Sequence, residues 1–241
     1  MVNSCRNIVF SVLALSMLAI TSTAEASLTF GGTRFVYHAS EDSTTVNVYN
    51  KDKGPYLLQS WVSDFSVKAV LDKDTADKKH DVPFVVTPPL FKMDAGDTSK
   101  ISIIAENTAT LPQDRESVFY LNFKAIPGKA ENQHSSLLIS VKSSMKLFWR
   151  PQQIDTPEAA NAWKKIEITQ SGNQVSITNP TPYYITFYSL NADGTKLNTP
   201  ENSMVAPFGK LTYVHTGRVH SFTWTALGDF GQITPENSIT L

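Results

Sequence analysis

Apolar and polar residues alternate along this chain in short runs, and glycine, proline, asparagine or aspartate closes nearly every run. Alternation with period 2 puts every second side chain on one face of a strand, which predicts half-buried sheets rather than helices. Thr33 to Tyr37, Thr44 to Tyr49, Tyr56 to Val62, Lys100 to Ile104, Val118 to Ala125 and Leu137 to Trp149 read as strands. Turn signals separate them at Lys53-Gly54-Pro55, Thr87-Pro88-Pro89, Ala95-Gly96-Asp97 and Ile126-Pro127-Gly128. A second series follows Pro151: Lys165 to Thr169, Gln174 to Thr178, Tyr184 to Leu190, Lys210 to His215, His220 to Thr225 and Ser238 to Leu241. Between the two series, Thr156 to Lys164 has helical character, with Thr156 as cap and Pro157 in the first turn.

The first residues carry one cation, Arg6, then the apolar run Ile8 to Ile20, then the small-residue site Ala24-Glu25-Ala26. That order predicts an export signal over residues 1–26, cut after Ala26, and the run is shorter than the ~20 apolar residues a membrane span requires. Cys5 is the one cysteine of the 241 residues and lies inside this segment, so the exported protein depends on its cores without a disulfide. Beyond residue 26 there is room for two immunoglobulin-like sandwiches of ~100 residues each, predicted over 27–151 and 152–241. The net charge of −1 lacks the basic excess that nucleic acid or an anionic membrane surface selects.

Separated segments then share a pattern. Leu111 to Pro127 reads LPQDRESVFYLNFKAIP, Lys146 to Pro151 reads KLFWRP, Asn179 to Tyr183 reads NPTPY, and Gly228-Asp229-Phe230-Gly231 follows much later. With Gly32-Thr33-Arg34 near the start, these resemble the periplasmic pilus chaperones of the chaperone-usher family. Two positions of the first segment depart from the family pattern, Phe123 and Gly128, and neither touches its charged core. The resemblance implies two sandwiches arranged as an L, with a cleft that receives a fimbrial subunit lacking its last strand. Such a subunit exposes an unpaired sheet edge, and the chaperone covers it by donating a strand.

The resemblance places the donated strand at Ser136 to Lys146, with Leu137, Ile139 and Val141 filling the subunit's groove. By periodicity alone the same residues fit an ordinary sandwich strand facing its own core, and Leu138 breaks the alternation. The short connection Gly128 to Ser135 matches the short-loop branch, which assembles rod-like pili. Arg34 and Lys146 match the cations that hold the subunit's C-terminal carboxylate, chemistry suited to a guanidinium and an ammonium. Glu116, Arg150 and Asp229 match a charged trio that links the two domains. The implied partners are fimbrial subunits and an outer-membrane usher, with no nucleic acid and no membrane insertion of the mature chain, and the implied compartment is the periplasm.

Enzyme chemistry has little to stand on. The sequence contains no Gly-x-Ser-x-Gly elbow, no phosphate loop and no cysteine-based metal site, so neither a cofactor nor a metal is expected. The histidines 38, 80, 134, 215 and 220 are scattered, and Asp94 and Asp97 flank Gly96 as turn residues. The alternative to a chaperone is a structural pilus subunit or another exported sandwich that binds a partner; the subunits of these pili, however, usually carry a cysteine pair.

Overall fold

The structure is a computed structural model that describes residues 28–65, 82–128, 138–197 and 203–241. The export signal expected over 1–26 with its Cys5, and the expected donor residues Ser136 and Leu137, lie outside the described residues, as does most of the connection after Gly128. The first half carries β1 (Leu28–Phe30), β2 (Arg34–His38), β3 (Thr44–Asn50), β4 (Tyr56–Asp64), β5 (Phe84–Thr87), β6 (Leu90–Met93), β7 (Thr98–Ala105), β8 (Ser117–Pro127) and β9 (Val141–Arg150). The second half carries β10 (Glu167–Ser171), β11 (Gln174–Thr178), β12 (Ile185–Ala192), β13 (Thr195–Lys196), β14 (Met204–Val205), β15 (Lys210–Val214), β16 (Ser221–Ala226) and β17 (Asn237–Thr240).

Each half is a pair of sheets around its own core. In the first, β1-β3-β7-β5 faces β2-β9-β8-β4-β6. Alternation turns Val46, Val48, Ile101 and Ile103 inward from one sheet and Leu58, Leu121, Phe123, Leu147 and Trp149 from the other, and all of them are buried. In the second, β10-β11-β15 faces β13-β12-β16-β17, with β14 also on β12. Val175 and Ile177 there meet Phe187, Leu190, Phe222 and Trp224. The Trp224 indole N–H donates to the Trp163 carbonyl at 2.9 Å, so this buried ring keeps its donor satisfied.

Differences from the strand reading concentrate at sheet edges. The segment Pro83 to Met93 gives β5 and β6, each an edge strand, and its prolines read as turn because they are tolerated in a sheet only at such edges. β9 begins at Val141 rather than Leu137, because Ala125 opposite Val141 is the last β8 residue that pairs with it. The piece after Pro151 is a 3₁₀ helix, Pro157–Lys165. Thr156 does not cap it: its hydroxyl lies 3.3 Å from that of Tyr183 instead. The Ala160 carbonyl accepts from the Trp163 ring N–H at 3.1 Å, a side-chain bond where a regular helix would use a backbone donor.

Because no disulfide supports either sandwich among the described residues, the cores must be sensitive to truncation. Leu121→Ala in the first core and Leu190→Ala in the second remove side chains with no exposed surface. Each change is expected to lower stability by ~2 to 5 kcal/mol in urea unfolding, with no change in secondary structure before the transition. A loss under ~1 kcal/mol would mean the core around that leucine is not close-packed.

Candidate functional site

The junction between the sandwiches is built from chain ends that the sheets fix. Arg150 ends β9 on the face opposite Leu147 and Trp149, so its side chain leaves the first core. Glu116 immediately precedes β8, whose Ser117 pairs with Trp149, which brings the two side chains together. The Arg150 Nε donates to Glu116 Oε1 at 2.8 Å, and its two terminal nitrogens donate to Asp229 Oδ2 at 2.8 Å and Oδ1 at 3.0 Å. Asp229 belongs to the second half, in the turn after β16, so a single guanidinium holds carboxylates from both halves.

Backbone groups reinforce this contact. Glu116 N–H donates to the Pro182 carbonyl at 2.9 Å, and Tyr184 N–H donates to Glu116 Oε2 at 2.8 Å. The Asn179-Pro180-Thr181-Pro182-Tyr183 run presents those groups because buried Asn179 ties it down. The Asn179 amide donates to the carbonyls of Tyr183 (2.7 Å) and Ala206 (3.0 Å), and its oxygen accepts from Thr181 N–H and Oγ1. Such an Asx-type turn is local chemistry that the Asn-Pro signal encodes.

Burial pushes the Glu116 carboxyl up from its ordinary value, against the opposing pull of Arg150 and the Tyr184 N–H. For Asp229, burial acts upward too, but the hydrogen bonds and charge of Arg150, with Arg34 and His38 beyond, hold it below the ordinary carboxylate range. Arg150 is held firmly charged: burial opposes it, and the two carboxylates outweigh burial.

Two further cations stand beside the trio. β2 runs parallel to β9, with Arg34 opposite Lys146, Val36 opposite Phe148 and His38 opposite Arg150. Arg34 is 8% exposed. It donates to the Leu227 carbonyl at 3.0 Å, lies 4.3 Å from the Phe148 ring centre, and its Nε has no partner among the described residues. Burial lowers the proton affinity of Arg34, and burial followed by the Arg34 charge lowers that of Lys146. This is a floor with a surplus of positive charge. Behind it is a cavity of about 130 Å³ bounded by Arg34, Arg150, Asp229, Trp163 and Tyr183.

β2 pairs with β9 only from Lys146 onward, so among the described residues no strand lies on that edge of β9 at 141–145. Val141, Met145 and Leu147 share the core face, yet Val141 is 55% exposed while Leu147 is fully buried. Ile139, just before the strand, is 63% exposed. An apolar face thus runs past the end of its own core. Sequence reasoning missed His38, whose Nδ1 lies 2.9 Å from both Asp155 carboxylate oxygens and ties β2 to the segment between the halves. No local pattern signals that pair, because its members are 117 positions apart.

The depressed Asp229 carboxyl carries a pH consequence. Its contribution is complete above the unfolded-chain value of ~3.9 and is lost as pH falls through its lower folded value. Asp229→Asn is expected to lower stability by about 1.5 to 3 kcal/mol at neutral pH, and the difference from the parent should narrow as pH falls below ~3.9. In a double-mutant cycle, Arg150→Met and Asp229→Leu should couple. Additive losses, within ~0.3 to 0.5 kcal/mol, would contradict a direct contact.

Comparison with known proteins matches this architecture to one family. Residues 27–155 match the N-terminal domain of the pili and flagellar-assembly chaperones typified by PapD, and residues 161–238 match the C-terminal domain of the PapD pili assembly chaperones. The chaperone protein FimC of Escherichia coli K12 is 34% identical over 229 residues, covering 93% of this chain and 89% of FimC. FimB/FhaD of Bordetella pertussis is 36% identical over 244 residues, covering 95% of each chain. Among solved structures, a chain in the complex of the Salmonella enterica SafA pilin with the SafB chaperone superposes with a TM-score of 0.74 at 28% identity, covering 91% of this chain and 99% of that one. The Escherichia coli chaperone DraB gives 0.72 at 31% identity, covering 89% and 96%. With both domains matched in order and relatives aligned over most of its length, this chain belongs to the pili assembly chaperone family.

Proposed function

We propose that the protein is a periplasmic chaperone that binds, folds and caps fimbrial subunits by donating a strand, then passes them to an outer-membrane usher. The observation that carries this reading is the open edge of β9 at 141–145 ending at Lys146 and Arg34. A strand added there gains backbone partners along the edge, and a terminal carboxylate at its end meets two cations whose surplus charge it relieves. The carboxylate fixes where the added strand ends. Register follows, and a slip by one residue would turn its groove-facing side chains outward.

Ile139 and Val141 then fill a groove in the partner, along with Leu137. Each such side chain contributes ~1.5 to 3 kcal/mol when fully buried, before the cost of ordering is subtracted. Glu116, Arg150 and Asp229 fix the two domains, 27–151 and 152–241, as an L whose cleft receives the subunit. The role is not enzymatic: release occurs when a better-fitting segment of another subunit replaces the donated strand, without nucleotide hydrolysis. Residues 1–26 direct the chain to the periplasm and are removed there.

Coexpression with the subunits of its own assembly system, scored by recovery of a 1:1 periplasmic complex, tests this reading. Lys146→Ala, which disturbs the fold less than a change at buried Arg34, is expected to reduce recovered complex at least tenfold, since a charge-assisted hydrogen bond is worth ~1.5 to 3 kcal/mol. Normal recovery with both cations replaced in a folded protein would remove the anchor. Ile139→Asp is expected to abolish capture, whereas Ser140→Asp, on the opposite face, retains most of it. Equal losses at the two positions would overturn the assignment of the groove-facing residues.

A further inference from the structure

Phe208 holds a backbone angle that aromatic residues rarely adopt. Its φ is +55°, in the left-handed region where a Cβ is strained. The chain around it leaves little choice. Phe208 N–H donates to the Thr181 carbonyl at 3.1 Å, Gly209 N–H to the Ala206 carbonyl at 3.0 Å, and Asn179 N–H to the Gly209 carbonyl at 2.9 Å. The glycine that would relieve the strain sits one residue later, at 209. A strained residue persists where its surroundings over-determine it, and such positions gather where geometry matters.

The strain does not serve the core, because the Phe208 side chain points away from it and the residue is 51% exposed. What its ring meets instead is Arg115 of the other domain, whose guanidinium carbon lies 5.1 Å from the ring centre. Arg115 is itself aimed. Its Nε and a terminal nitrogen donate to the two oxygens of the neighbouring Asp114 carboxylate at 3.0 and 2.7 Å, a planar fork that fixes the guanidinium. Arg115 directly precedes Glu116, the residue that crosses to Pro182 and Tyr184. Both ends of the contact are therefore anchored, one to the Asn179 turn and one to the start of β8.

We infer that Arg115 and Phe208 are positioning residues: an exposed second latch between the domains that, together with the buried trio, sets the angle at which the second domain faces the β9 edge. The consequence for subunit capture rests on the chaperone reading, but the latch itself is a property of the free protein. Asp114 positions Arg115, and the backbone bonds that hold residue 208 left-handed also set where its ring stands.

The test measures residual dipolar couplings of the free protein, which report the relative orientation of the domains, together with thermal melting. Arg115→Ala and Phe208→Ala should each loosen the shared orientation, and the double variant should be no looser than either one. Arg115→Lys, which keeps a cation but cannot form the two-nitrogen fork to Asp114, should retain only part of the parental orientation. Phe208→Gly separates strain from contact: it should raise the melting temperature by roughly 4 °C or more, through relief of the left-handed residue, while still loosening the domains. Parental orientation in both single alanine variants, or effects that add in the double variant, would overturn the latch. Retained orientation in the variants alongside normal subunit capture by the parent would overturn the latch and leave the chaperone reading standing. Failure of the parent to capture any subunit would count against that reading and leave the orientation result intact.

Discussion

The architecture depends on one buried cation. Arg150 sits at the end of β9 with a side chain only 5% exposed, and it is satisfied by carboxylates from two separate domains. Such a group is a poor source of stability, because removing an ion pair from water costs about as much as the pairing returns. It is a strict source of geometry. A guanidinium presents a planar fork, and the Asp229 carboxylate can meet two of its nitrogens only when the second domain stands at one position and angle. Glu116 fixes the other side of the same fork and reaches across to Pro182 and Tyr184 through its own backbone and its second oxygen. The buried charge thus specifies how two otherwise independent cores are joined.

The cationic floor follows from that arrangement. β2 turns alongside β9 only where it can pair in parallel from Arg34 to His38, and this places Arg34 beside Lys146 and under the Leu227 carbonyl. With both trio carboxylates committed to Arg150, neither forms an ion pair with Arg34 or Lys146 among the described residues. Among the described residues the β9 edge beyond β2 is left open, and the apolar face continues into the exposed Val141 and Ile139. An open edge with exposed aliphatic residues is an aggregation hazard for an ordinary sandwich. In the proposed function, the same features would supply what an incomplete sandwich lacks: a strand, side chains for its groove and a counter-charge for its terminus.

Much of this was legible in the sequence, because alternation is a direct consequence of the pleat. The runs Thr44 to Tyr49, Gln174 to Thr178 and Lys210 to His215 lie within a residue of the observed strands. Proline hid β5 and β6, since the signal that ends a central strand is permitted at an edge. The 3₁₀ geometry of Pro157–Lys165 and the turning of the Thr156 hydroxyl to Tyr183 instead of the helix end depend on Trp163 and Tyr183, tertiary partners that no local rule supplies. The charged residues of the junction were identifiable from their motif, but their distances, the Arg34 Nε left without a partner among the described residues and the His38 contact with Asp155 arise only when distant segments meet. The left-handed backbone at Phe208 carried no sequence signal at all, because the residue that normally marks such a turn is its neighbour Gly209.

Strand donation is tested most directly by hydrogen exchange along β9. In the free protein, the amides of residues 141–145 that do not bond to β8 face the open edge and should exchange quickly. In a complex with a fimbrial subunit they should be strongly protected, with protection ending at Lys146 where β2 takes over the edge. A stable complex in which those amides exchange as fast as in the free protein would contradict strand donation from β9.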